Sequence, residues 1–169
     1  ALESVVSRFA ASGEGNACVV VGKGESGRTT VVKNAVEEFE LSAKLIVVSV
    51  AQLGSEKNTL QMLTDDKDVK SCVLIIEDAD ELATRQRQSL LYLLLDTTRK
   101  GSDHQWLVFL MVQNQNFITS LEKRVRSRLP MARIVFQPAC TLDEYVKVFG
   151  SFLGKESLET TKGECLKSL

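Results

Sequence analysis

Residues 17–29 read ACVVVGKGESGRT, from Ala17 to Thr29. The opening Ala17-Cys-Val-Val-Val21 is an unbroken apolar run of strand length, as expected for a strand covered on both faces of a parallel sheet. Gly22, Lys23, Gly24, Glu25, Ser26, Gly27, Arg28 and Thr29 then spell the glycine-rich pattern GxxxxGK[ST] with one change: Arg28 stands where the pattern has lysine. Glycines let backbone N–H groups wrap a phosphate chain. The lysine reaches its outer phosphates, and the hydroxyl holds Mg²⁺. From Thr29 to Phe39 the residues Val31, Val32, Ala35, Val36 and Phe39 share one side of a helix. Strand, glycine loop and helix in this order give the loop its context.

Outward from this unit the chain alternates. Leu2–Phe9 has the spacing of an amphipathic helix. Leu45–Val50, Val73–Ile76, Trp106–Val112 and Arg133–Phe136 read as four more strands. A short helix is predicted over 56–63, a strong one over 85–97 around Leu90, Leu91, Leu94 and Leu95, and two short helical pieces over 117–129. Thr141-Leu-Asp-Glu144 forms a capping box opening a helix to about Phe152. Pro130 and Pro138 flank the last strand without interrupting it. The predicted fold is α/β, a five-stranded parallel sheet with helices on both faces. Residues 1–152 form its core and 153–169 a polar tail.

The 169 residues are 44% hydrophobic and 25% charged with a net charge of −1, which fits one globular domain and calls for neither nucleic acid nor membrane as a bulk partner. No apolar run is long enough to span a bilayer. Cys18, Cys72, Cys140 and Cys165 are scattered and His104 is the single histidine, so zinc is not expected and a reducing compartment is. Local charge is uneven. Acids gather in 65–81, and bases gather at Lys123, Arg124, Arg126, Arg128 and Arg133.

Four segments carry candidate chemistry. In the loop, Arg28 keeps a positive charge, but its planar fork is larger than a lysine ammonium and is not a substitute for it in a tight turn. Thr29 is a Mg²⁺ ligand or a helix cap, and Thr30 follows it into the helix. The third strand ends in Glu77 and Asp78, where a phosphate-loop protein places a metal ligand and then a base for the attacking water. The usual order is Asp then Glu; here it is reversed. Gln113 and Asn114 close the fourth strand, at the sheet edge where ligands of open parallel sheets bind. Leu121-Glu-Lys-Arg-Val-Arg-Ser-Arg-Leu129 is either a solvated helix face or a presentation of arginine to phosphate. Arg124 and Arg128, four apart, share a helical face.

These pieces occur in the order of the AAA+ ATPases. The stretches Gly22–Thr29, Gln88–Asp96, Leu121–Leu129 and Thr141–Phe149 resemble the fourth-subunit family of the origin recognition complex, an initiator branch of AAA+ proteins. The resemblance spans about residues 1–152 and is most specific at LEKRVRSR. It implies a P-loop core binding ATP and Mg²⁺ through residues 22–30, Gln113 and Asn114, with Thr29 and Glu77 on the metal and Asp78 as base. It implies an arginine finger acting in trans, Arg128 first and Arg124 second, on nucleotide held by a partner. The implied partners are other origin recognition complex subunits, above all the largest, with DNA contacted through the assembled complex, no membrane, and a nuclear location. The chain departs from the family at Arg28, at the Glu77–Asp78 order and at Gln113. The interval from Thr29 to Val73 is short for the family's DNA-facing hairpin. Its lid and winged-helix domains do not follow, which reads as a fragment of something longer.

The expected activity is that of a degenerate AAA+ subunit: some ATP binding, poor hydrolysis, and an arginine donated to a neighbour. The alternatives are an active P-loop ATPase of clamp-loader type and an interaction module that has lost its nucleotide.

Overall fold

The computed structural model describes residues 2–24, 26–39, 43–53, 71–85, 87–98, 105–129 and 133–136, with positions 143 and 146. The elements below lie in one compact unit, Ala1–Phe136. In chain order they are α1 (Leu2–Ser12), β1 (Asn16–Val21), α2 (Arg28–Glu38), β2 (Lys44–Ser49), β3 (Ser71–Glu77), α3 (Asp80–Thr84), α4 (Ser89–Thr97), β4 (Gln105–Val112), α5 (Lys123–Arg126) and β5 (Arg133–Val135). Turns of 3-10 helix occupy Val50–Gln52 and Phe117–Ser120.

The five strands form one sheet in the order β2-β3-β4-β1-β5. Every pairing is parallel, so the expected sheet is the observed one. Its continuous apolar strands follow from cover on both faces, because side chains alternate sides along a strand. Ala17, Val19 and Val21 pack with Leu74, Ile76, Val108 and Leu110 against Leu82, Leu91, Leu95, Phe117 and Val125 from α3, α4, the second 3-10 turn and α5. Cys18 and Val20 face the other way, with Val73, Ile75, Phe109 and Met111, against Val6 and Phe9 of α1 and Val32 and Val36 of α2. Trp106 is buried, as predicted for a packed residue at a strand start.

Register brings the functional ends together. Val21 lies opposite Val112, Ser49 opposite Glu77, and Ile76 opposite Leu110. Two backbone bonds extend the ladders past the strands, Gly22 N–H to Val112 O (2.9 Å) and Ala79 N–H to Met111 O (2.9 Å). The loops after β1, β3 and β4 therefore leave the same edge side by side. The chain leaves β1 for the far edge, then fills β3 and β4 back toward it. That path opens a crevice above the carboxyl ends of the central strands.

The helix expected over 85–97 starts later, as α4 at Ser89, and the short α3 (Asp80–Thr84) before it was not foreseen. Arg87 adopts a left-handed backbone (φ 61°), and the Gln88 side chain bonds the Ala83 carbonyl, so α3 stops and α4 starts afresh. The two pieces expected over 117–129 are the 3-10 turn and the one-turn α5. The helix expected over 56–63 lies outside the described residues, as does most of the one over 141–152. So do the tail over 153–169 and Glu25.

Candidate functional site

A cleft of about 320 Å³ sits at the junction of these loops, lined by Gly24, Ser26, Gly27, Arg28, Thr29, Thr30, Glu77, Asp78 and Gln113. All but Gln113, at the end of β4, come from the segments read as phosphate loop and acidic motif. Lys23 is exposed and does not line the cleft; Gly22 is buried beneath it.

The cradle has two backbone requirements. Gly27 takes φ 73°, in the left-handed region, and stands as the residue before α2. It aims the helix N-terminus, with its unpaired N–H groups, at the cleft. A Cβ at Gly22 would meet Phe136 Cβ at 3.0 Å and Ser26 Oγ at 3.1 Å, so glycine lets the loop lie close against the residue after β5. Ser26 Oγ is buried with no hydrogen-bond partner among the described residues, an orphaned hydroxyl in the wall of the cleft. A phosphate oxygen would satisfy it.

Thr29 and Glu77 meet. The Thr29 hydroxyl donates to Glu77 Oε1 at 3.1 Å, joining the start of α2 to the end of β3. A hydroxyl beside a carboxylate is an oxygen donor set of the kind Mg²⁺ takes, with the rest of its shell left to water and phosphate. Asp78 follows Glu77, exposed, with φ 56°.

Arg28 behaves unlike a phosphate-binding lysine. Its side chain is 7% exposed. Its Nη1 donates to the carbonyls of Gly22 and Val112, the latter at 2.6 Å. The guanidinium is drawn beneath the loop, where it joins the ends of β1 and β4.

Two contacts were not foreseen. Asp80, in the first turn of α3, accepts the backbone N–H of Gln113 (2.6 Å) and of Asn114 (3.1 Å), and so fixes the loop after β4. Only Gln113 of that pair lines the cleft. Asn114 lines a neighbouring hollow with Asp80 and Phe117, and its side chain accepts from Asn116 N–H at 2.8 Å. In sequence, Asp80 is one more acid in an acidic run and has no signal of its own. Gln88, the second, ties α3 to the segment before α5.

The basic segment lies apart from the cleft; neither Arg124 nor Arg128 lines it. Both gather on Tyr92 of α4. The Arg128 guanidinium lies 3.9 Å from the ring centroid and that of Arg124 5.5 Å. Arg128 Nε donates to Asp96 Oδ1 at 2.9 Å, its Nη1 to the Arg124 carbonyl at 3.1 Å, and its Nη2 to the Tyr92 hydroxyl. The Asp96 carboxylate bonded to it raises the Arg128 pKa above its ordinary value. Arg124 is paired with Glu122 at 2.6 Å. Arg124 and Arg128 share one side, toward Tyr92, but not the one helix expected: α5 ends at Arg126 and Arg128 lies in the turn beyond.

The family model for AAA, ATPases associated with various cellular activities, matches residues 18–137. Among curated proteins the chain is 26% identical to origin recognition complex subunit 4 of Mus musculus over 184 residues, covering 88% of this chain and 42% of that protein. For the Homo sapiens protein of the same name the identity is 24% over 186 residues, with the same coverage, 88% and 42%. The chain therefore spans less than half the length of these relatives. Among solved structures, Aeropyrum pernix ORC1 in complex with DNA superposes with a TM-score of 0.62 at 16% identity, over 82% of this chain and 44% of that one. The Thermotoga maritima RuvB Holliday junction branch migration motor gives 0.62 at 19%, over 88% and 47%. These likenesses confirm the fold. Sheet order, glycine loop, acidic strand end and family match agree, and the chain belongs to the AAA family of ATPases.

Proposed function

We propose that this domain is the AAA+ core of an origin recognition complex subunit of the fourth type, acting in the initiation of DNA replication. It holds ATP weakly and with Mg²⁺, hydrolyses it poorly, and donates Arg128, backed by Arg124, to the ATP site of a neighbouring subunit. The observation that carries this reading is the opposite disposition of the two arginines. Arg28, at the lysine position, is committed to backbone carbonyls beneath the loop. Arg128 rests on Tyr92 and Asp96, outside the chain's own cleft, with 19% of its side chain exposed. An arginine aimed at a neighbour's γ-phosphate stabilises the charge of the transferring phosphoryl group.

The neighbour is, by resemblance, the largest subunit; DNA is contacted through the assembled complex, in the nucleus. In the chain's own cleft, Thr29 and Glu77 would hold Mg²⁺, Ser26 and the N–H groups around Gly24 and Gly27 would take the phosphates, and Gln113 would face the γ end. When bound, Mg²⁺ offsets phosphate charge that Arg28 does not.

The test is a titration of the full chain with a fluorescent ATP analogue, with and without Mg²⁺, followed by a turnover assay. Expected are micromolar, Mg²⁺-dependent binding and no turnover above background. Robust turnover by the chain alone, abolished by Asp78→Asn, would overturn the reading in favour of a self-sufficient ATPase. No binding up to millimolar ATP would make the cleft a relic.

A further inference from the structure

We propose that Gln88 is the positioning residue for the arginine-bearing helix α5, and so sets the reach of Arg124 and Arg128 toward a phosphate held by a partner. The proposal rests on the reading of α5 as an arginine donor. A helix of one turn has no stability of its own, so α5 stays where its ends are tied. Its apolar anchors, Leu121 and Val125, are buried, but apolar burial is non-directional and does not set a helix's angle.

Gln88 supplies direction. Its side chain is 6% exposed. Nε2 donates to Ala83 O at 2.7 Å and to Ser120 O at 3.1 Å, and Oε1 accepts from Glu122 N–H at 2.9 Å. Both amide hydrogens and the amide oxygen are used. Glu122 is where α5 begins: its carbonyl accepts from Val125 N–H (3.0 Å) and Arg126 N–H (2.9 Å), and its carboxylate holds Arg124. The Arg124 carbonyl in turn accepts from Arg128. On its other side Gln88 grips the end of α3, whose Asp80 fixes the loop carrying Gln113 at the cleft rim. One amide therefore sets the arginine helix against the framework of the chain's own cleft.

The experiment uses the full chain assembled with its partner subunits, comparing Gln88→Met, Gln88→Glu and Arg128→Ala. Amide exchange at Glu122 is measured, with kcat and KM for ATP. For Gln88→Met, Glu122 exchange is expected to quicken about tenfold or more and kcat to fall about fivefold or more, with KM unchanged. Gln88→Glu keeps the acceptor for Glu122 and loses both donors, so its effect should be intermediate; it also carries the test if the Met variant fails to fold. Unchanged Glu122 exchange, or unchanged kcat where Arg128→Ala lowers it, would overturn the proposal. A silent Arg128→Ala would instead bring down the donated-arginine reading and the catalytic half of this proposal with it, while Glu122 exchange still reports whether Gln88 holds the helix.

Discussion

Arg28 and Arg128 are the same residue type in opposite circumstances. Arg28 Nη1 donates to two backbone carbonyls, so the cleft's framework is held in part by a side chain that a lysine-bearing loop would present to phosphate. Arg28→Lys should lose part of that bonding, with a stability cost of about 1–3 kcal/mol, and return a compact charge to the phosphates. The predicted outcome is a lower melting temperature without nucleotide and binding of the ATP analogue tighter by about tenfold or more; a variant that melts higher and binds no better would contradict it. Gly27→Ala forces a side chain into the left-handed region although nothing obstructs its Cβ, and should cost about 1–2 kcal/mol in a denaturant titration. Cys18 is a separate reporter. Burial pushes its thiol up to about 11 from 9.0. The folded state keeps its proton where the unfolded state has lost it, so this group's contribution to stability is intact below pH 9 and declines as the pH rises toward 11. Site-resolved alkylation at about pH 8 should leave Cys18 unmodified until the protein unfolds.

At the scale of elements, the clearest sequence signals were periodic ones. The central strands β1, β3 and β4 have their alternating faces covered by helices, and their apolar runs say so without ambiguity. The meeting of the glycine loop with the acidic strand end was equally legible, because strand, loop and helix follow one another in a fixed order. Asp80 and Gln88 were not legible, since their work depends on where α3 lands relative to Asn114 and Glu122, each 34 residues away in sequence. The same holds for Arg87: a leucine-rich pattern predicts a helix but not the left-handed residue that delays its start to Ser89. Asp80→Ala would leave two backbone N–H groups on the exposed loop to water, at a cost of about 1 kcal/mol, and should weaken analogue binding several-fold by releasing Gln113. On α4, Tyr92 offers a ring face and a hydroxyl to Arg128. Tyr92→Phe keeps the face and Tyr92→Ala keeps neither, so partner-site turnover should fall modestly in the first and strongly in the second.

For the molecule as a whole, one AAA+ core presents two surfaces of different fitness. The cleft has its Thr29–Glu77 pair and a Ser26 hydroxyl unpartnered among the described residues, but Arg28, at the lysine position, is bonded to carbonyls inside the fold. The arginine surface is braced throughout: Arg128 by Asp96 and Tyr92, Arg124 by Glu122, and the helix start by Gln88. A subunit of this kind would contribute more to its neighbour's chemistry than to its own. The most direct test is ATP turnover by the assembled complex with wild-type chain against Arg128→Ala. The account predicts a fall on the order of a thousandfold in the partner's hydrolysis, as for other arginine fingers, with the chain's own affinity for the ATP analogue unchanged. Turnover unaltered by Arg128→Ala in a correctly assembled complex would contradict it.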